Sequence, residues 1–462
     1  MTTPPTKPTE SGLDAALVHA RAKLESLRTL ERGSASLQYE IFLSRSTATK
    51  IDSKDQKVES LTRAEDVGLS IRLKRQNRVG FSYTTSLADD AIARAVDSAL
   101  QVSEVMPEEN DITLGGFATT LPKIDNRYDE AGLRISVEEK IALAKKLEKL
   151  CRESDRRIQT VRSASFSESV SEYVLASHEG PVLRHRGTLF STSIACKAEE
   201  NGDAQMGYEY VFSPFLKELD LEFCARSGAE SATELLGATK PQSMKCPAVI
   251  RNDVVSDLLD FLAGSFSGEE IEKGKSLLQG KQGEKIFADF IEILDDGLRP
   301  GGLATRPFDA EGTASQTTKV VEKGIFKSTL LDRKYAKRFG LPSTGNSSRG
   351  VKSPPMIATT NFFLQPGTKS LAELIRDVGE GIMITNLMGV HTANSVTGNF
   401  SVGASGILIH QGKLVKPVKG FAVAGNILQL FRDVKALGSD LRFFGSVGAP
   451  SLLLPELAVS GD

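Results

Sequence analysis

Residues 37–84 read LQYEIFLSRSTATKIDSKDQKVESLTRAEDVGLSIRLKRQNRVGFSYT, and the fold class turns on this stretch. Leu37, Tyr39, Ile41 and Leu43 alternate with neighbours of the other face, the period of a half-buried strand. Three further short strands are expected at about 56–63, 67–75 and 78–85. Asn77, Arg78 and Gly80 supply the turn between the last two, and Leu69, Ile71 and Leu73 alternate against Val79, Phe81 and Tyr83. The spacing therefore predicts an antiparallel meander.

Working outward, Leu13, Ala16, Leu17, His19, Ala20, Leu24 and Leu27 fall near helical spacing over 12–32, and Gly33 is the expected stop. After the meander, Leu87 to Val105 reads as a second helix with Ile92, Ala95, Val96, Ala99 and Leu100 on one face. Helix, sheet and helix make 12–105 an α+β unit. A loop-rich stretch (106–135) leads to a helix from Val137 to Arg152. Strands are expected at 158–166, 170–176, 182–196 and 206–213, with a hairpin at Glu179-Gly180-Pro181. A helix is expected over about 214–236, and Pro241 to Pro247 reads as a junction.

From 247 onward, strand-like runs (247–251, 288–294, 317–322, 325–331, 381–386, 404–410, 413–415, 418–423) alternate with helices near 253–265, 331–339 and 368–378. The expected organisation is a disordered lead-in over 1–11, an N-terminal α+β region over 12–240 (12–105, then a middle part 106–240), and a β-rich C-terminal domain with inserted helices over 241–462. Long glycine-containing loops at 296–312, 341–353 and 388–404 are of the kind that carry function.

Composition narrows the function classes. The chain has 462 residues, with 57 Lys plus Arg against 59 Asp plus Glu, a formal net charge of −2. Nucleic-acid binders carry a basic excess, so direct DNA or RNA binding is not expected. No stretch approaches the roughly 20 apolar residues of a membrane span. The first residues lack the charged-then-apolar pattern of a secretory signal. Cys151, Cys196, Cys224 and Cys246 form no C-x-x-C pair, which fits a reduced, cytoplasmic setting.

Metal and nucleophile motifs are sparse. The five histidines (His19, His178, His185, His391, His410) include no H-E-x-x-H. Gly274-Lys275-Ser276 ends like a phosphate loop, but Glu269 occupies the position of the required glycine. No G-x-S-x-G elbow occurs. The informative segment is 391–406, HTANSVTGNFSVGASG, which is small, polar and glycine-rich and runs into a strand. Small side chains let another backbone come close, as an extended peptide on a sheet edge requires. His391, Asn394, Thr397, Gly398, Asn399, Ser401 and Gly403 are accordingly candidates for peptide binding or for a subunit interface.

Several segments, in order, resemble the TldD/TldE (PmbA) metalloprotease family, once called modulators of DNA gyrase. These are Val67–Ile71, Asn77–Gly80, Ala91–Val96, Ala198–Asp203, Arg306–Gly312, Gly324-Ile325, Thr397–Ser401 with Gly406, Ala424–Asn426, Gly438–Asp440 and Leu454–Glu456. The resemblance is closer to the TldE/PmbA branch. It implies a subunit of a heterodimeric zinc metalloprotease that degrades unfolded peptides or processes peptide precursors. The catalytic branch carries H-E-x-x-x-H and a late cysteine as zinc ligands. Anchored on Gly268-Glu269, those motif positions fall here on Leu259, Asp260 and Gly264, and no cysteine follows Cys246. The resemblance thus implies that this chain binds no cofactor, has no catalytic residue of its own, and relies on a TldD-like partner for zinc. A homodimer in the partner's absence is a further expectation. The alternatives are a stand-alone peptide-binding adaptor without hydrolase activity and a homodimeric hydrolase with an unrecognised site.

Overall fold

The computed structural model describes residues 12–30 and 37–461, without the side chain of His391. The lead-in 1–11 and the helix stop at Gly33 lie outside the described residues. Helix α1 (Gly12–Leu30) buries Leu13, Ala16, Leu17, Ala20 and Leu24 on one face. Strands β1 (Gln38–Lys54), β2 (Lys57–Arg75) and β3 (Arg78–Thr84) follow as an antiparallel meander, and then α2 (Asp89–Val105). Both turns use two consecutive positive-φ residues, Asp55-Gln56 and Gln76-Asn77, the geometry that matches strand twist.

The stretches 56–63 and 67–75 are a single strand, because Arg63 to Val67 stay in register with Thr49 to Arg45. The expected pair 158–166 and 170–176 likewise merges into β4. Polar runs read as breaks in hydropathy, yet their backbones continue a ladder wherever the side chains can reach water.

Next come α3 (Glu130–Leu133), α4 (Val137–Ser154), β4 (Ile158–Ser177), β5 (Leu183–Glu200), β6 (Asp203–Ser213) and α5 (Leu221–Thr233). Ser136 and Glu139 form a capping box on α4. The helix expected over 214–236 is shorter, because the Asp220 carboxylate caps the Phe223 amide and sets its start. All six strands join one antiparallel sheet in the order β3-β2-β1-β4-β5-β6. Helices α1 and α2 cover one end over Tyr39, Ile41, Leu69 and Ile92. The other end packs α4 and α5 over Val161, Ala164, Ile194 and Cys196.

The C-terminal part contains β7 (Met244–Ile250), α6 (Asn252–Ala263), α7 (Gly268–Glu272), β8 (Ile293–Asp296), β9 (Thr317–Glu322), β10 (Ile325–Phe326), α8 (Arg333–Phe339), β11 (Ser347–Ser348), β12 (Met356–Ile357) and β13 (Phe362–Leu364). It continues with α9 (Leu371–Val378), β14 (Gly381–Met388), β15 (Asn399–His410), β16 (Lys413–Asn426), α10 (Ile427–Asp433), β17 (Ala436–Leu437), β18 (Arg442–Phe444), β19 (Val447–Ala449) and β20 (Leu452–Ser460). One six-stranded sheet runs β10-β9-β8-β13-β19-β18, a second runs β16-β15-β14-β7-β20-β17, and β11 pairs with β12 in a two-stranded sheet. A further pairing of Ala422 and Val423 with Ser460 and Val459 closes β16, β15, β14, β7 and β20 into a ring. One continuous apolar core, with α6 in it, joins the two six-stranded sheets.

The segments 413–415 and 418–423 are one strand, irregular near Gly420, whose φ is 75°. Strand β20 had no counterpart in the expectations; its Pro455 lies where the register with β7 shifts, which is where a strand tolerates proline. No described helix is long and apolar enough to cross a membrane.

Candidate functional site

Strand β6 is an edge strand: it pairs with β5 along its whole length, and its other edge has no partner strand among the described residues. Its period of two places Met206, Tyr208, Tyr210 and Phe212 on one face. Their aromatic rings follow one another with centroids 6.0 and 6.2 Å apart. That face looks across a furrow at the C-terminal domain. Two cavities of about 350 and 390 Å³ share Tyr208, Ser231, Glu234, Arg251 and Asp253, and a third of about 320 Å³ continues past Tyr210 and Arg442.

Two arginines cross-brace the furrow. Arg442 makes a bidentate pair with Glu209, Nη1 to Oε2 at 2.9 Å and Nη2 to Oε1 at 2.6 Å. Its guanidinium also lies over the rings of Phe223 and Phe444 at 4.8 and 4.6 Å. Arg251, at the start of α6, donates to Glu234 at 2.8 Å, to Asp253 at 2.9 and 2.7 Å, and to the Thr385 carbonyl at 2.8 Å. Burial alone would push Arg251 toward neutrality, but Asp253 and Glu234 outweigh it and hold the charge. Burial raises the Glu234 carboxyl against the opposing pull of Arg251.

The floor comes from α6 and the end of β14, where Thr385, Asn386 and Leu387 line the cavity. The solvent side of α6 presents Asp253, Asp257 and Asp260 in turn, followed by Gly264. The Asp257 carboxyl reaches solvent but is walled by the furrow. Burial first, then Asp253 and Asp260, raise it to about 6. Burial also raises Asp260. The arrangement offers aromatic surface, a mixed-charge floor and a strand edge already met at Tyr210. The Tyr210 amide donates to Glu209 Oε1 at 2.7 Å, and its carbonyl accepts from Arg442 Nη2 at 3.2 Å. On either side of Tyr210 the edge of β6 has no partner strand among the described residues, a surface of the kind an extended peptide can join.

The residues singled out from sequence divide between two places. On α6, Leu259 is fully buried in the C-terminal core (0% exposed), Asp260 faces out, and Gly264 borders open space. Neither Leu259 nor Gly264 has a donor atom in its side chain, so these positions do not fit a zinc ion. Among the described residues, no three His, Cys, Asp or Glu side chains converge as a ligand set.

The loop expected over 388–404 is shorter: it ends at Gly398, and Asn399, Ser401 and Gly403 belong to β15, where they pair with Asn426, Ala424 and Ala422 of β16. Asn394, Thr397, Asn399 and Ser401 are exposed, Gly403 is half-buried and Gly398 is buried. The polar groups of this segment largely serve one another: the Asn394 carboxamide accepts the amides of Val396 and Thr397 at 2.9 and 2.8 Å. Asn426 Nδ2 donates to the Thr397 carbonyl and to Asn399 Oδ1, at 2.8 and 2.9 Å. The structure does not bring these residues into the furrow beside β6. Sequence reasoning missed the furrow. The alternation of Met206, Tyr208, Tyr210 and Phe212 was the available signal, but Arg251, Asp257 and Arg442 reach it from distant chain.

Known proteins supply the remaining comparison. Residues 39–103, 130–236 and 243–461 match family profiles described as PmbA/TldA metallopeptidase domain 1, central domain and C-terminal domain. The chain is 27% identical to the metalloprotease PmbA of Escherichia coli O157:H7 over 427 residues, 92% of each chain. It is 25% identical to a PmbA homologue of Haemophilus influenzae, over 93% of each. Among solved structures, a Thermotoga maritima protein described as a modulator of a DNA gyrase superposes with a TM-score of 0.87 at 25% identity, covering 96% of this chain and 100% of that one. TldE of Thermococcus kodakarensis superposes at 0.85 with 20% identity, covering 98% and 100%, a likeness of fold. Shared sequence through all three parts, on a shared fold, places this chain in the PmbA/TldD metallopeptidase family.

Proposed function

We propose that this chain is the TldE/PmbA-like, metal-free subunit of a two-subunit metalloprotease acting on unfolded peptides or peptide precursors. The observation that carries the reading is the donor chemistry at the family's motif positions: Leu259 and Gly264 offer nothing to zinc, and Leu259 is packed into the core. Asp260 without flanking imidazoles has no metal-bound water to act on. A TldD-like partner would supply the zinc and the bond cleavage. This chain would supply peptide-holding surface along β6, with the 391–398 loop and the start of β15 facing peptide or partner. The proposed setting is the cytoplasm, in keeping with four free cysteines.

The test is metal analysis and peptide cleavage by the purified chain, alone and after mixing with a TldD-like protein that carries H-E-x-x-x-H. The expected result is no stoichiometric zinc and no cleavage alone, co-purification of the two chains, and chelator-sensitive cleavage by the mixture. One tightly held zinc per chain, or chelator-sensitive cleavage by the chain alone, overturns the proposal.

A further inference from the structure

A second polar cluster lies where the first sheet meets the C-terminal domain, away from the furrow. Tyr173 on β4 and His185 on β5 are cross-strand partners with ring centroids 5.2 Å apart. Phe308, from the C-terminal domain, meets Tyr173 edge-on at 5.5 Å. Arg127 arrives on the segment before α3, where its carbonyl accepts the Thr188 amide at 2.8 Å. Arg306 arrives from the C-terminal domain, tied by Nη2 to the Ser347 carbonyl at 2.8 Å. Both guanidinium groups act on the His185 imidazole.

Three donors of this cluster are buried and unused: Arg127 Nη1, Arg306 Nε and the Tyr173 hydroxyl. Arg127 is 7% exposed, and neither it nor Arg306 forms an ion pair with a carboxylate among the described residues. Asp125 acts on Arg127, and the buried Asp295 and Asp309 act on Arg306, none of them at ion-pair distance. A buried donor without an acceptor is unfavourable, and more so when it belongs to a cation. Burial, then Arg127 and Arg306, hold His185 near 4, so at neutral pH the imidazole adds no third positive charge. The cluster therefore holds two cations whose unused donors have no carboxylate at hydrogen-bonding distance among the described residues. His185 and Arg306 are only half-buried, which leaves a route from solvent.

We propose that this cluster is a binding site for a small oxyanion, a carboxylate or phosphate group held between Arg127, Arg306 and Tyr173. Planar guanidinium groups match such oxygens, and the hydroxyl adds a third donor. Because the donors come from the segment before α3, the sheet and the C-terminal domain, the bound anion fastens three parts of the molecule together. The site is independent of zinc and of the furrow.

The test is calorimetric titration and thermal unfolding of the full chain, at constant ionic strength held with sodium chloride. The probes are sodium phosphate, sodium acetate, and one short unstructured peptide as free acid and as C-terminal amide. The expected result is saturable binding of at least one oxyanion with a matching rise in Tm. Arg127→Met should weaken it at least tenfold and Tyr173→Phe severalfold, with unchanged circular dichroism. Tyr173→Phe removes a single oxygen and keeps the test decisive if Arg127→Met does not fold. Binding of phosphate identifies a free anion as the occupant; binding of the free-acid peptide but not its amide identifies a chain terminus. No saturable binding of any probe, or equal binding by both variants, overturns the proposal and leaves buried water as the filler.

Discussion

Asp257 makes the furrow sensitive to pH. Its carboxyl titrates near 6 in the folded chain against an ordinary 3.8, raised by burial, Asp253 and Asp260. As pH rises, the unfolded chain gives up this proton first, so the unfolded state binds fewer protons between those values. The stability this carboxyl contributes is complete below about 4 and is lost as pH rises through about 6. Asp257→Asn removes that loss. Its Tm is expected to exceed that of the parent at pH 7.5, with the gap closing as the pH falls below about 4. Thermal unfolding across this range checks it, and a gap independent of pH would reject the assignment. At this scale the sequence was informative about what α6 lacks, since a leucine and a glycine offer a metal nothing wherever they sit. It was silent on Asp257, whose surroundings come from β5, β6, α5 and β14.

Among the elements, β6 and α5 form the wall of the furrow, and their contact depends on small residues. At Gly207 an added Cβ would overlap the Ala232 amide nitrogen and the Gly228 carbonyl, both backbone atoms that cannot swing away. Gly207→Val should therefore push α5 off β6 and destabilise the chain by about 1–3 kcal/mol, the usual range for overpacking. Urea unfolding would show it as a lower midpoint; an unchanged midpoint would mean that the wall is soft. Helices were the legible elements. Ile92, Ala95, Val96 and Ala99 of α2 repeat at helical spacing and are all buried. Strands were legible where one face is apolar. They were misread as fragments in β2 and β4, where both faces carry polar residues and only the hydrogen-bonded ladder shows continuity.

The whole molecule is fastened at a buried charge network between the first sheet and the C-terminal domain. Arg72 Nη1 reaches Glu40 at 3.2 Å and Glu311 at 3.4 Å, and Arg349 Nη1 reaches Glu40 at 3.4 Å. Arg349, 1% exposed, also lies over the Phe42 ring at 4.7 Å. The Glu311 carboxylate further accepts the Arg333 amide at 2.9 Å, at the start of α8. Removing one member of a buried ion network leaves its partners charged and unpaired, a loss of about 3–5 kcal/mol. Glu311→Gln should show that loss, with the first sheet and the C-terminal domain separating into two calorimetric transitions. A single transition at the parental midpoint would show that the seam is held by its apolar contacts instead.

By itself the sequence determined the α+β class, the approximate course of most elements and the family resemblance, because periodicity and residue chemistry are local properties. The tertiary structure decided the rest. Residues 38–54 and 158–177 are far apart in the chain, yet β1 and β4 are neighbours in one sheet. That pairing fixes where β6 becomes an edge. The furrow, the raised Asp257 carboxyl, the Arg72–Glu311 seam and the Arg127–Arg306 cluster each join segments distant in sequence. Burial and electrostatic interaction depend on distance in space, and no local pattern of residues encodes that distance.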